Sequence, residues 1–118
     1  MKFSEYAYKR PVFEDVKEQQ LKLIAELGYA KSFEQAEKAF LDSEKLNRSV
    51  QTMGTLASIR FTLNTADEFY KAEQEFWDET SPLLMELGVK MSAALLASPF
   101  KADFGVSYTH LTLPTILR

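Results

Sequence analysis

The chain has 118 residues, the length of one small domain, and 46% of them are hydrophobic and 26% charged. A net charge of −3 without any basic stripe argues against nucleic acid as a partner. The absence of cysteine excludes disulfide frameworks, thiolate zinc sites and cysteine nucleophiles, and a single histidine excludes any site that needs two. With 4 glycines and 4 prolines, a sheet fold with many tight turns is also disfavoured. The composition therefore predicts a soluble helical domain.

The ends of the chain and its apolar stretches predict where the protein is located. No uninterrupted apolar stretch approaches the roughly 20 residues of a membrane span. Residues 1–6 have no apolar signal core, which argues against secretion. We therefore expect a cytoplasmic protein with no membrane partner.

The first predicted helix covers residues 11–27. Pro11 suits the first helical turn because its fixed φ is helical and its missing N–H costs nothing there. Polar Gln20 interrupts the apolar stripe, and Gly28 is a typical C-terminal cap. The stripe consists of Phe13, Val16, Leu23, Ile24 and Leu27.

The second predicted helix begins at a capping box over residues 32–35 and continues to Leu63. In this motif the Ser32 hydroxyl and the Gln35 side chain satisfy each other's free backbone N–H groups. Gly54 lies within the helix, where we expect it to permit close packing of a neighbour rather than to break the helix. The apolar positions are Phe33, Ala36, Phe40, Val50, Met53, Ala57 and Phe61.

The third predicted helix begins at a second capping box over residues 65–68, where Asp67 and Glu68 also suit the positive end of the helix dipole. Pro82 would kink this helix or restart it with Ser81 as the cap. The apolar stripe consists of Phe69, Phe76, Leu83, Leu84, Leu87, Met91 and Leu95.

These elements predict an all-α fold of three long antiparallel helices in up-down-up order, because short connections make neighbouring helices antiparallel. The two longer helices would project beyond the first and leave apolar surface uncovered. That surface suggests a piece of a larger protein.

The end of the chain differs from the rest, since residues 106–115 carry no charge and show no period. This segment resembles the in-frame translation of a transposon-end sequencing adapter. We therefore divide the chain into a native helical lobe at 1–105 and an irregular, artefactual tail at 106–118, which we expect to have no packing role. A genuine β-prone segment is the alternative, because Thr, Tyr and Leu favour strands.

Several stretches of the native part share the pattern of a known family. The strongest lies at 52–70, where the second and third helices meet, and the others are residues 1–6, Arg10–Pro11, Phe13–Glu14, 75–79 and 81–83. These stretches resemble the N-terminal region of the oligoendopeptidase F family, whose members are cytoplasmic zinc metallopeptidases related to thimet oligopeptidase. Together they cover about residues 1–104, and they imply the N-terminal helical lobe of a larger peptidase.

The resemblance implies zinc in the full-length enzyme, bound by an H-E-x-x-H helix whose glutamate activates water. No such motif occurs in this chain, where the one histidine, His110, lies in the tail without a following glutamate. We therefore predict no catalytic, cofactor-binding or metal-binding residue, and no zinc bound by this fragment. The resemblance implies that the lobe forms a wall of a cleft for short peptides, and that its partner is the missing C-terminal catalytic domain.

Three groups of residues need separate interpretation. An acidic group, namely Glu73, Glu75, Asp78 and Glu79, could hold a metal, but carboxylate-bridged bundles need a Glu-x-x-His pair from each of two helices. An aromatic group could bind peptide or fill the core, and consists of Phe69, Tyr70, Phe76 and Trp77. The third group, Ser43, Ser58 and Ser81, lacks a general base and cannot supply a nucleophile.

Arg60 could pair with Asp67 or Glu68 around the turn, or anchor a substrate carboxylate. Two functions remain open at this point. One is an inactive N-terminal fragment of a zinc oligoendopeptidase. The other is a stand-alone helical adaptor that binds a protein partner through its exposed apolar stripes.

Overall fold

A computed structural model of the chain describes residues 7–108. Its helices are α1 (Phe13–Gly28), α2 (Phe33–Leu63), α3 (Glu68–Ala97) and α4 (Lys101–Tyr108). The described part contains no strand and measures 51 × 27 × 24 Å. The prediction of an all-α fold with three long antiparallel helices is confirmed, and α4 is an element that the sequence analysis missed.

The start of α1 lies two residues later than predicted. Val12, with φ −85° and ψ 110°, is the N-cap, so Pro11 stands outside the helix rather than in its first turn. The carbonyl of Val12 accepts the first helical bonds, from the N–H groups of Asp15 and Val16. The preceding non-helical residues are bound to α3 by side chains, which explains why the helix begins only after Pro11.

The cap of α2 is confirmed at Ser32, whose hydroxyl oxygen accepts a bond from the Gln35 N–H at 3.2 Å. The reciprocal half of the predicted box is shifted by one residue. The Gln35 amide oxygen accepts from the N–H of Lys31, at 2.9 Å, and not from that of Ser32.

The predicted cap of α3 was wrong by two residues. Thr65 and Ala66 form the turn that precedes the helix, in which the Asn64 carbonyl accepts a bond from the Asp67 N–H at 3.1 Å. Asp67 is the N-cap, and its carboxylate accepts from the Tyr70 N–H at 3.1 Å. Aspartate is at least as good an N-cap as threonine, so the helix begins where the turn ends.

Pro82 lies within α3 and does not divide it, so of the two alternatives at this position the restart with Ser81 as cap was wrong. The Ser81 hydroxyl donates to the Trp77 carbonyl one turn earlier, at 2.7 Å, instead of capping a new helix. Pro82 removes the helical bond to the Asp78 carbonyl, and this side of α3 is exposed to solvent.

Two apolar clusters hold the bundle together. One lies where α4 meets the other helices, and its buried members are Leu27, Ala36, Ala39, Phe40, Met91, Leu95 and Phe104. The other lies near the N-terminal segment and comprises Val16, Val50, Ala57 and Trp77. The prediction for Gly54 is confirmed, because a Cβ there would lie 3.3 Å from the Trp77 ring.

A buried polar contact joins α1 and α2 along the same face. Gln20, which interrupts the apolar stripe of α1, is only 3% exposed. Its amide oxygen accepts from the Ser43 hydroxyl at 2.6 Å, and its amide nitrogen donates to Asn47 at 3.0 Å. Each polar group is therefore satisfied, which is the condition for burying it without a large penalty.

The short helix α4 places Phe104 in the core, where its ring lies 5.1 Å from that of Phe33 and 5.5 Å from that of Phe40. The helix continues through Val106, so the proposed start of the tail falls within α4. Val106 is 87% exposed, and the rest of the tail beyond Tyr108 lies outside the described residues. The boundary at 105 remains a prediction.

None of the four described helices combines the length and the apolar character needed to cross a bilayer.

The stripe of α3 predicts which leucine matters most for stability. Leu87 is 6% exposed, whereas Leu83, one turn earlier, is 44% exposed. We expect Leu87→Ala to lower the free energy of unfolding by about 2–5 kcal/mol, because it removes a buried side chain and leaves a cavity. Leu83→Ala is the control, and in the same denaturant titration it should lower the free energy of unfolding by well under half as much. Equal losses for the two variants would contradict the assigned face.

Candidate functional site

The four acidic residues of α3 that the sequence analysis singled out do not form one group. Glu73 is buried, with 4% of its surface exposed, whereas Glu75, Asp78 and Glu79 are exposed. The inward position of Glu73 follows from the helical period, which places it one turn before buried Trp77.

Glu73 accepts hydrogen bonds from two side chains of the N-terminal segment. The Tyr8 hydroxyl donates to Oε1 at 2.5 Å, and Arg10 Nε donates to the same oxygen at 2.9 Å. Arg10 Nη2 donates to Oε2, so the guanidinium engages both carboxylate oxygens. The Arg10 side chain remains 47% exposed while that of Glu73 is 5% exposed. This contact ties the segment before α1 to the middle of α3.

Aromatic rings surround this contact. Trp77 Nε1 donates to the Tyr8 hydroxyl oxygen at 3.1 Å, so Tyr8 both accepts and donates. The Arg10 guanidinium carbon lies 4.4 Å from the centroid of the Phe76 ring, a cation–π distance. The Tyr8 ring meets Tyr70 edge-on at 5.7 Å. Trp77 and Phe76 therefore serve packing and hydrogen bonding in this bundle.

The charges of this cluster shift its ionisation. The Arg10 guanidinium, by its hydrogen bonds, holds the pKa of Glu73 below its ordinary value of 4.5, against the effect of burial. The bond to Glu73 raises the pKa of Arg10 in turn. Burial, and then the bond to Glu73, raise the pKa of Tyr8 from 10.0 to about 12. The cluster is thus an ionised pair with a neutral tyrosine at neutral pH.

Arg60 lies against Tyr70 rather than forming an ion pair with the acids of the turn. Its Nη1 donates to the Tyr70 hydroxyl at 3.0 Å, and its guanidinium carbon lies 5.9 Å from the centre of that ring. Among the described residues the ion pairs are Arg10–Glu73 and Lys38–Asp42. The pairing of Arg60 with Asp67 or Glu68 was therefore wrong, since the Asp67 carboxylate caps α3.

The three serines that the sequence analysis considered take part in hydrogen bonds within the bundle. Ser43 is 2% exposed and donates to Gln20, and Ser81 donates to the carbonyl of Trp77. Ser58 is exposed and its carbonyl accepts from the Thr62 hydroxyl at 2.8 Å.

An open groove of about 750 Å³ runs along α2 and α3. Buried Val50 and Trp77 contribute to its floor, and Met85 and Val89, which are 71% and 59% exposed, form part of its rim. The groove contains two carboxylates, Glu44 and Asp78, that belong to opposite walls.

The residues present do not fit a zinc site. Within residues 7–108, no three histidine, cysteine, aspartate or glutamate side chains converge closely enough to hold a metal ion. Protein zinc sites use mainly imidazole and thiolate ligands, and the described part of the chain contains neither histidine nor cysteine.

The partnership of Tyr8 and Arg10 with Glu73 was not predicted. The residues lie 65 and 63 positions away from Glu73, so no local spacing connects them. The one available signal was a carboxylate on the apolar face of a predicted helix, which requires a partner when buried.

Glu73→Gln tests the buried ion pair. We expect a loss of about 1–3 kcal/mol in the free energy of unfolding at neutral pH, because hydrogen bonds to a charged group are lost or weakened. Because the pKa of Glu73 is lowered in the folded state, the ion pair contributes its full stabilisation above pH 4.5. This stabilisation is lost as the pH falls through the lower pKa of the folded state. The difference from the wild type should therefore shrink in acid. Exposed Glu79→Gln is the control, and an equal loss there would contradict the assignment.

Tyr8→Phe tests how the raised pKa of Tyr8 affects stability at alkaline pH. The folded state holds the Tyr8 proton up to about pH 12, whereas the unfolded chain releases it near 10.0. The wild type should therefore lose stability as pH rises through this window, and Tyr8→Phe should lose less of it over the same range. Tyr29, which is 85% exposed, supplies the control Tyr29→Phe. Denaturant titrations at a series of pH values give the slopes, and identical slopes for all three proteins would refute the prediction.

Comparison with known proteins identifies the family. The model of the Peptidase M3 N-terminal domain matches residues 3–113. No curated protein matches.

Three solved structures are similar to the chain. An oligoendopeptidase F determined at 3.1 Å is 36% identical with a TM-score of 0.89, over 92% of this chain and 19% of that one. An oligoendopeptidase F from Bacillus anthracis str. Ames is also 36% identical with a TM-score of 0.89, over 92% of this chain and 20% of that one. PZ peptidase A with an inhibitor is 34% identical with a TM-score of 0.88, over 91% of this chain and 19% of that one.

The chain thus spans about a fifth of the length of these structures. The family match extends over nearly all of the chain. The chain also superimposes on the solved peptidases with TM-scores of 0.88–0.89 and shares 34–36% sequence identity with them. The chain belongs to the Peptidase M3 N-terminal domain family.

Proposed function

We propose that the chain is the N-terminal lobe of a zinc-dependent oligoendopeptidase that hydrolyses short peptides. One observation carries this proposal: over 92% of its length the chain superimposes on oligoendopeptidase F structures, of which it matches only 19–20%. In this proposal the catalytic domain and the zinc ligands belong to the rest of a longer polypeptide, which is the principal partner of the lobe.

The lobe forms one wall of the substrate cleft in this proposal and takes no part in breaking the peptide bond. Zinc supplies a polarised water for amide hydrolysis when bound in such an enzyme. The present residues offer no nucleophile and no metal-binding group within 7–108. Their contribution is a rigid surface, braced by the Glu73 contacts, that limits which peptides reach the cleft.

The proposed location is the cytoplasm. A reducing compartment is compatible with a chain that has no cysteine and hence no disulfide.

The chain alone should hydrolyse no peptide and bind no stoichiometric zinc. Calorimetric titration with zinc and a quenched fluorescent peptide assay measure the two properties. One tight zinc per chain, or hydrolysis abolished by a chelator, would overturn the inactivity of the fragment.

A graft tests the role of the lobe. Residues 7–105 of this chain would replace the matched segment of the oligoendopeptidase F from Bacillus anthracis. We expect the graft to cleave short peptides and to exclude longer unfolded ones, whereas deletion of the matched segment should lose activity or size selection. A deletion protein with unchanged activity and selectivity would refute the cleft-wall role. A genomic reading frame that stops soon after Gly105, without an H-E-x-x-H motif, would instead favour a stand-alone adaptor.

A further inference from the structure

The open groove between α2 and α3 is a surface to which no described contact gives a role. Every residue that lines it belongs to one of these two helices, so neither α1 nor α4 covers it. The positions from Phe40 to Ser58 on α2 extend about 27 Å at the helical rise. The groove is thus long enough for five turns of another helix.

The spacing of the lining residues suits a helix as the occupant. One set recurs at seven-residue intervals on the two helices and comprises Phe40, Asn47, Gly54, Gln74, Ser81 and Gly88. A second set at the same interval comprises Glu44, Gln51, Ser58, Trp77, Leu84 and Met91. A seven-residue repeat on two antiparallel helices presents straight rows of side chains. Such rows accept the ridge of a third helix whose apolar residues alternate at three and four positions.

Two glycines in the groove differ in what surrounds them. A Cβ at Gly54 would lie 3.3 Å from the Trp77 ring, so packing within the chain accounts for that glycine. A Cβ at Gly88 would meet nothing within 4 Å. Glycine in a helix interior costs stability relative to alanine, and no close neighbour among the described residues accounts for the glycine at position 88. A backbone approaching closely from outside would explain a residue without a side chain at this position.

The rim and the walls indicate the chemistry of the occupant. Ile59, Met85 and Val89 are 41%, 71% and 59% exposed, which gives the groove an apolar edge. Glu44 and Asp78 add a carboxylate on each wall, and none of the lysines or arginines within residues 7–108 lines the groove. An apolar helix stripe flanked by basic side chains would complement both features.

We propose that this groove binds an amphipathic helix with flanking lysine or arginine residues, supplied by the part of the longer polypeptide outside the matched fifth. The proposal rests on the proposed function in one respect, namely that the chain is part of such a polypeptide. The solved relatives provide about four fifths of their length outside the matched region, which is ample for such a helix. Docking there joins the lobe to the remainder of the enzyme.

The first test uses the 118-residue chain and a fluorescent synthetic helix of about 20 residues, with leucines at alternating intervals of three and four and flanking lysines. We expect saturable binding by fluorescence anisotropy. The same peptide with glutamate in place of lysine should bind at least about tenfold more weakly. Equal binding of both peptides, or binding of neither, overturns the proposed chemistry of the groove.

Matched variants assign the binding to the groove. Gly88→Leu and Met85→Asp should each weaken binding of the lysine peptide at least about tenfold. Gly28→Leu and Leu41→Asp are the controls, since Gly28 also has open space around it and Leu41 is 45% exposed outside the groove. Circular dichroism checks that each variant is folded. Equal effects in groove and control variants refute the assignment.

The second test identifies the natural occupant in the grafted enzyme. A photoreactive amino acid is placed at Val89, with Leu41 as the control position. We expect Val89 to cross-link to a basic amphipathic helix of the same polypeptide. A cross-link to a second copy, or to a substrate peptide, overturns the proposed occupant, as does the absence of any cross-link.

The two proposals fail in distinguishable ways. A graft that cleaves peptides without an intramolecular cross-link retains the proposed function and refutes the docking helix. A graft with the cross-link but no size selection retains docking and refutes the cleft-wall role.

Discussion

A buried carboxylate needs partners, and Glu73 receives them from a segment that would otherwise have little to hold it. The Arg10 guanidinium binds both carboxylate oxygens, and the Tyr8 hydroxyl, itself bonded to Trp77, completes the set. Removing one partner of such a pair leaves a charge in an apolar setting, which costs more than the pair contributes. The course of the chain before α1, and the orientation of the Trp77 ring, both depend on this contact.

The position of Trp77 in turn sets how α2 and α3 pack. Its ring lies against Gly54, where a Cβ would come within 3.3 Å of the ring, so the helices approach one another closely at this level. Val16 of α1 and Val50 of α2 complete the same cluster. Toward the other end, Phe104 of α4 closes a second cluster around Phe40 and Leu95. Helix α1 thus buries one side of the long pair, and the opposite groove remains open.

The open groove supports the proposed role of the chain as a lobe of a larger enzyme. A complete small domain would cover most of its apolar helix faces, yet Met85 and Val89 are largely exposed along a groove of about 750 Å³. The chain matches only about a fifth of each solved relative, which supports the proposal that the rest of a longer polypeptide covers this surface. In this proposal, the face of α2 and α3 that α1 and α4 leave open is where the lobe joins the rest of the enzyme.

The sequence by itself determined the helical class, the order of the three long helices and both ends of α2, because apolar period and capping residues are local signals. Ser32 and Gly54 acted as their local chemistry predicted. The sequence also showed which metal-binding and catalytic motifs the chain lacks.

Only the tertiary structure decided the roles of Glu73, Gln20 and Phe104. Glu73 and Gln20 are polar residues whose burial depends on partners 23 to 65 positions away, and Phe104 belongs to an eight-residue helix too short to show a period. The start of α3 at Asp67 rather than Thr65 was decided by the turn at Asn64. Contacts between distant residues follow from how the helices pack, and no local pattern encodes that packing.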